Sequence, residues 1–353
     1  MDLNGKNLDG YLEDAQVNSP TCFPGSGSVN YFRRYKTIEE WLKNNVHQHV
    51  GVGALYKDGA FLTDHGPKHV ATVIERASRL AESRPCTLQP YEVYLLLVAI
   101  QLHDAGNIFG RLGHEGRIWD ILEQIGSVCG EDSTEKRCIV QIAQAHGGDA
   151  GGDKDTIGPL PFGDAVLGKT VRFRLLASTL RFADELADDR GRAASFMQNV
   201  GALPRKSEAY HRFASSLHSV IVNPNEKEVF LGFDVQSNEA KRTYGKGNGA
   251  DVYLVDEILE RTLKTHTERV YCSRFMRPQI DIETIRVKIE ICDERNGFEV
   301  LQAIDYRLQE KGYPDKHPRG IYGVCEELND WNGRGKIDGT VLHLLLDDFT
   351  GGT

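Results

Sequence analysis

The sequence predicts a mainly α fold, a helical bundle followed by a smaller α+β C-terminal region. Three observations carry that prediction. Apolar residues recur at helical period almost throughout Thr37 to Ala214. Beyond about residue 215 the pattern changes, and Ile285 to Ile291 alternates strictly between apolar and charged side chains, as a half-buried strand does. A length of 353 residues with 40% hydrophobic and 26% charged content suits one large globular domain or two ordinary ones.

The elements follow in order. Residues 1–35 are rich in Gly, Asn, Ser and Pro without a sustained period, and read as an irregular leader. The helical domain is expected over residues 36–214, starting with a short amphipathic helix at Ile38, Trp41 and Leu42. Asp64 and Pro67 signal the start of a second helix, whose positions Val70, Val73, Ile74, Ala77 and Ala81 share one face. A third, from about Tyr91 to Asp104, is apolar nearly all round and is expected at the centre. Helices at about 114–125 and 133–145 follow, the latter opening with an Asp132-x-x-Glu135 capping box. A Gly- and Asp-rich loop, Gly147 to Gly168, is either a lid over a site or a connector, and leads into a long helix at 168–188. Residues 215–353 form the α+β region, of no assigned role. They give a hairpin (219–222 with 228–233), a helix at 251–271, the strand at 285–291, a helix at about 298–311, a short segment near 320–330 and the run Val341 to Leu346.

Composition excludes several classes. With 42 Lys and Arg against 51 Asp and Glu, the net charge of −9 argues against a protein that coats nucleic acid. The longest apolar run, Tyr94 to Ile100, falls short of the roughly 18–20 residues of a membrane span. The first residues lack the basic start and apolar block of a secretory signal, so a cytoplasmic location is expected. Seven scattered cysteines without a C-x-x-C pair fit reduced thiols, not a zinc ribbon or a disulfide framework. Twelve histidines are less ordinary, because five of them (His65, His69, His103, His114 and His146) fall within 82 residues.

Those histidines and two aspartates carry the candidate chemistry. Asp184 continues the stripe Phe173, Ala177 and Leu180, and a carboxylate facing a core costs several kcal/mol unless it is neutralised or bound. His103 follows Leu96, Ala99 and Ile100 inward, with Asp104 beside it, and Ile139, Ile142 and Ala143 put His146 on a buried face. Imidazole and carboxylate together suit borderline divalent metals, and inward ligands on helices are a common way to hold one.

The order His65, His103-Asp104 and Asp184, with 37 and then 79 residues between, resembles the H…HD…D pattern of the HD-domain superfamily of metal-dependent phosphohydrolases. The flanking stretches are similar as well. They are Asp64-His65-Gly66-Pro67-Lys68-His69-Val70, Leu102-His103-Asp104-Ala105-Gly106-Asn107 and Leu180-Arg181-Phe182-Ala183-Asp184, and the likeness covers roughly residues 36–210. The resemblance implies an HD-type helical bundle in which His65, His103, Asp104 and Asp184 hold a divalent metal. His114 and His146 would add a second ion, with Asp104 between the two; Mn, Mg, Co, Fe and Ni are not distinguished. His114-Glu115 is alternatively a proton-transfer pair, and His69 reads as a surface or supporting group. Asn107 stands where one subclass has Lys, and no Gly-Tyr-Pro follows His146, which speaks against a cyclic di-GMP phosphodiesterase.

The implied activity is hydrolysis of a phosphoester or phosphoanhydride in a small, nucleotide-like substrate by metal-activated water. Asp104, Glu115 and Lys68 are the catalytic candidates. Lys68, Arg111, Arg117, Arg172 and Arg181 are the candidates for phosphate contact, since an acidic protein needs local cations. Other readings on this fold are a single-strand nuclease, disfavoured by the net charge, a di-iron oxygenase and a non-catalytic nucleotide sensor. The C-terminal region is open to a homo-oligomer interface.

Overall fold

Every residue of the helix Pro90–Leu102 is buried, which is what its apolar surface all round requires. In this computed structural model the description covers the chain except residues 1, 2, 4, 55–60, 62, 84–86, 149–151, 248, 294, 297, 298, 311–319 and 351–353. The chain divides into two units. One comprises Met1–Tyr56, Asp64–Ala187 and Tyr271–Asp281, and the other Lys57–Thr63, Asp188–Val270 and Ile282–Thr353.

The first unit is helical. Its elements are α1 (Leu8–Asn18), α2 (Tyr31–Asn45), α3 (Pro67–Ala81), α4 (Pro90–Leu102), α5 (Ile118–Ile125), α6 (Ser133–Gln144), a hairpin β1 (Asp164–Val166) and β2 (Lys169–Val171), and α7 (Phe173–Glu185). Helix α4 lies against α1, α2, α3, α6 and α7. Residues 1–35 are therefore not an irregular leader: Leu8, Leu12 and Ala15 bury one face of α1, and Leu8 N donates to Ser78 Oγ at 3.0 Å. The loop expected over Gly147 to Gly168 likewise contains β1, and the helix expected from 168 begins at Phe173.

Two buried carboxylates tie these helices together. Glu92 caps the start of α4, and it also accepts from Arg172 N at 3.0 Å and Arg172 Nε at 2.8 Å at the start of α7. Glu135 does not reach back to close a capping box. Asp132 alone caps α6, while Glu135 accepts from Arg34 Nη1 at 3.0 Å and from Tyr91 Oη at 2.6 Å. Residues 153–158 are pinned as well. Tyr271 Oη donates to Asp155 Oδ1 at 2.8 Å, and Ile157 N donates to Tyr271 Oη at 2.9 Å.

The second unit holds α8 (Ser195–Asn199), α9 (Glu208–Ser216), β3 (Leu217–Asn223), β4 (Glu228–Gln236), α10 (Ser237–Ala240), the hairpin β5 (Thr243–Gly245) and β6 (Asp251–Tyr253), and most of α11 (Leu254–Met276). β7 (Thr284–Cys292), β8 (Val300–Gln309), α12 (Ile321–Val324) and α13 (Gly339–Thr350) complete it. Its main sheet runs β3-β4-β7-β8, antiparallel except between β4 and β7. The boundary falls after Ala187, not at 214, because α9 packs on this sheet, with the Phe213 and Phe233 rings 5.4 Å apart. The helix expected at 298–311 is instead strand β8. Ile304, Tyr306 and Leu308 are buried while Asp305, Arg307 and Gln309 are exposed, a period of two.

Candidate metal centre

The donors come from the ends of helices, where the backbone can turn a side chain inward. Helix α4 stops at Leu102, and His103 and Asp104 follow in the turn beyond it. Only glycine fits at position 106, because a Cβ there would meet His114 O at 2.0 Å. That close approach brings the short 3₁₀ turn His114–Arg117 against Asp104. His146 follows the end of α6, and Asp184 sits in the last turn of α7.

Asp104 is common to two sets of donors. Its Oδ2 lies 3.3 Å from His69 Nε2 and 3.4 Å from His103 Nε2. Asp184 Oδ1 completes that set, 3.2 Å from His69 Nε2 and 3.6 Å from His103 Nε2. The other oxygen, Oδ1, lies 3.0 Å from His114 Nε2 and 3.7 Å from His146 Nε2. In each set the donor atoms lie within 4.8 Å of one another.

Second partners fix the rings. His103 Nδ1 meets Ile100 O at 2.7 Å, His146 Nδ1 meets Ala143 O at 2.5 Å and His114 Nδ1 meets Arg111 O at 3.0 Å. A carbonyl only accepts, so each Nδ1 donates and each Nε2 faces the centre, the arrangement that supports a ligated imidazole. The Nε2 atoms of His69 and His103 are 3.2 Å apart, and two nitrogen lone pairs beside two carboxylates need a proton or a cation between them. This donor set, buried and mixed in imidazole and carboxylate, fits a divalent metal ion.

The electrostatics agree in direction. Burial disfavours charge on Asp104, but the neighbouring His103, His65 and His114 rings outweigh it and hold the carboxyl well below its usual range. Asp184 is depressed likewise, burial being overcome by His103 and His69. Burial also opposes charge on His103, yet Asp104 and Asp184 push its pKa up to about 10. Glu115, half-sheltered, is held down at about 2 by His114 against the cost of burial.

The centre brings together His103, Asp104, His114, His146 and Asp184. His65 stands further out, in the loop before α3 and not on a helix, its Nε2 4.0 Å from Asp104 Oδ2. His69, read from sequence as a surface or supporting group, is fully buried with its Nε2 in the first donor set. The clue was its place one turn before the buried Val73.

The cationic candidates separate. Arg111 Nη1 lies 3.1 Å from Asp104 Oδ1 and 3.2 Å from His114 Nε2. Asn107 Nδ2 donates to the same Asp104 oxygen at 2.9 Å. Arg172 is engaged with Glu92, so a phosphate role would break that pair. Arg181 donates to Thr156 Oγ1 at 2.9 Å and stacks on the Tyr271 ring at 4.5 Å, which makes it an anchor of residues 153–158. Arg117 pairs with Asp120 at 3.0 Å and covers the Phe109 ring at 4.6 Å. Lys68 is exposed on α3 and forms no ion pair among the described residues. Glu115, held in its ionised form at neutral pH, accepts from His114 Nδ1 at 3.2 Å.

No single described helix is long and apolar enough to cross a membrane. Comparison with curated proteins and with solved structures gives no match. A family model described as HD-CE matches residues 59–264, more than half of the 353 residues and all of the donors above. With an HD-like domain carrying a buried His/Asp cluster able to hold a metal, the chain belongs to the HD-CE family.

Proposed function

We propose that the chain is a metal-dependent phosphohydrolase that cleaves a phosphoester or phosphoanhydride in a small nucleotide-like substrate. The observation that carries this reading is Asp104, each of whose oxygens serves a different set of buried donors. A divalent cation held by such donors supplies acidified water and offsets charge on phosphoryl oxygens.

The protein's own residues do the rest. The carbonyls of Ile100, Arg111 and Ala143 hold three imidazoles in one tautomer, so no reorganisation is needed when substrate arrives. Asn107 orients Asp104. Arg111, about a third exposed, is the cation nearest the donors and is suited to a phosphoryl oxygen. Glu115, ionised and beside His114, is placed to take up a proton.

The test is to load the full chain with Mn, Mg, Co, Fe or Ni and to offer it nucleotides, cyclic nucleotides and other phosphorylated metabolites, with Asp104→Asn as the control. Phosphate release that depends on both metal and Asp104 supports the reading. Silence across every metal and substrate refutes it.

A further inference from the structure

Arg111 meets the same two atoms that a cation in the second donor set would need. Its Nη1 is 3.1 Å from Asp104 Oδ1 and 3.2 Å from His114 Nε2, and His114 Nδ1 is already committed to Arg111 O at 3.0 Å. A guanidinium N–H and a metal ion both draw on the lone pair of that Nε2 and on that carboxylate oxygen, and a buried site does not admit two positive charges on one pair of atoms. Among the described residues no guanidinium lies within ion-pair distance of the first set, which is built on the other oxygen of Asp104.

We infer that Arg111 and a second divalent cation exclude one another, and that a phosphoryl anion admits the second cation by drawing Arg111 away. The inference rests on the metal-dependent reading above and adds an order to it: one ion first, at His69, His103, Asp104 and Asp184, and a second only with an anionic ligand. The side chain is placed to make this move. It is 35% exposed, and it lies between Gly110 (φ 108°) and Gly113 (φ 69°), left-handed positions at which only glycine turns the backbone without strain. The neighbouring Leu112 is wholly exposed, so the segment carries little packing to hold it. A phosphoryl group offers the guanidinium a charged, bidentate partner, which is the exchange that favours departure.

The test counts metal ions and needs no turnover. Metal-free full-length protein is titrated with Mn²⁺ and followed by electron paramagnetic resonance, with and without inorganic phosphate. The wild type is expected to bind one tight, magnetically isolated ion, and phosphate is expected to bring in a second, spin-coupled ion. Arg111→Gln is expected to bind both without phosphate, its second dissociation constant lower by about tenfold or more, the equivalent of one charge-assisted hydrogen bond removed from competition. Arg111→Lys, which keeps the charge but not the fork, should lie between them.

Two tight coupled ions in the wild type without phosphate overturn the inference, as does a second site unaffected by phosphate in the wild type. The wild-type comparison stands even if a variant folds poorly. If the ion counts behave as expected but no substrate is hydrolysed, the competition holds and the hydrolase reading falls; if no ion binds at all, both fall.

Discussion

Metal uptake at neutral pH should expel a proton from His103. In the metal-free protein burial disfavours a charged ring there, but Asp104 and Asp184 outweigh it and push the pKa up to about 10. A raised pKa means that the protonated ring is the folded protein's favoured form, fully populated at pH 7 and lost only as the pH climbs through about 10. A cation needs Nε2 neutral, so each pH unit below that value weakens binding at the first donor set by about tenfold, or about 1.4 kcal/mol. Between pH 8 and pH 7 the dissociation constant for Mn²⁺ should therefore rise about tenfold through this ring alone. The assay is isothermal titration calorimetry of Mn²⁺ into metal-free protein at pH 7, in two buffers that differ in ionisation enthalpy. The buffer dependence of the heat counts the protons released, and at least one is expected. No proton release, together with an affinity that is flat from pH 7 to pH 8, would refute the reasoning.

Four other outcomes follow from the geometry. His69→Gln should weaken Mn²⁺ binding by at least about tenfold whereas Lys68→Ala should leave it unchanged, measured by the same calorimetry; equal effects would remove His69 from the first donor set. Gly106→Ala drives a methyl group into His114 O, 2.0 Å from the new atom, and should cost about 1–3 kcal/mol or more in urea unfolding; an unchanged midpoint would show that the turn yields freely. Glu92→Ala removes the cap of α4 and abandons Arg172, which at 26% exposure can still reach water, so the loss should be near about 3 kcal/mol, the lower end for a broken buried pair. Arg172→Met should also destabilise the chain while leaving Mn²⁺ affinity intact, an outcome that separates its structural role from phosphate contact.

What the sequence carried openly was whatever repeats or concentrates. Helix α4 was visible because an all-apolar segment has one stable place, and β7 because alternation of Ile and Val with Arg, Lys and Glu has only one strand reading. The central donors His103, Asp104 and Asp184 stood out as polar groups on otherwise apolar faces. Strand β8 was missed because its first residues, Val300 to Ala303, carry no clean alternation, and only Ile304 onward shows it. His69 was missed for a different reason: its burial depends on α7 and the turn after α4 closing over the first turn of α3, which no local pattern records. Arg172 and Arg181 looked like cations near a motif, and their partners Glu92 and Thr156 are 80 and 25 residues away. A side chain's charge is legible in sequence, while its partner is a property of the packing.

Tyr271 gives the connectivity a temporal meaning. All the donors lie before Ala187, but the tyrosine that fastens residues 155 and 157 belongs to the segment Tyr271–Asp281, which returns to the first unit after Asp188–Val270 has been made. At about 5–20 residues per second, synthesis reaches the end of that segment roughly 5–20 s after Ala187. During that interval the nascent chain carries the complete set of imidazoles and carboxylates, and Arg181 to hold Thr156, while Asp155 and Ile157 still lack their tyrosine partner. A fragment ended at Ala187 would stay in that state: equipped with every donor, and without the tyrosine that fastens Asp155 and Ile157.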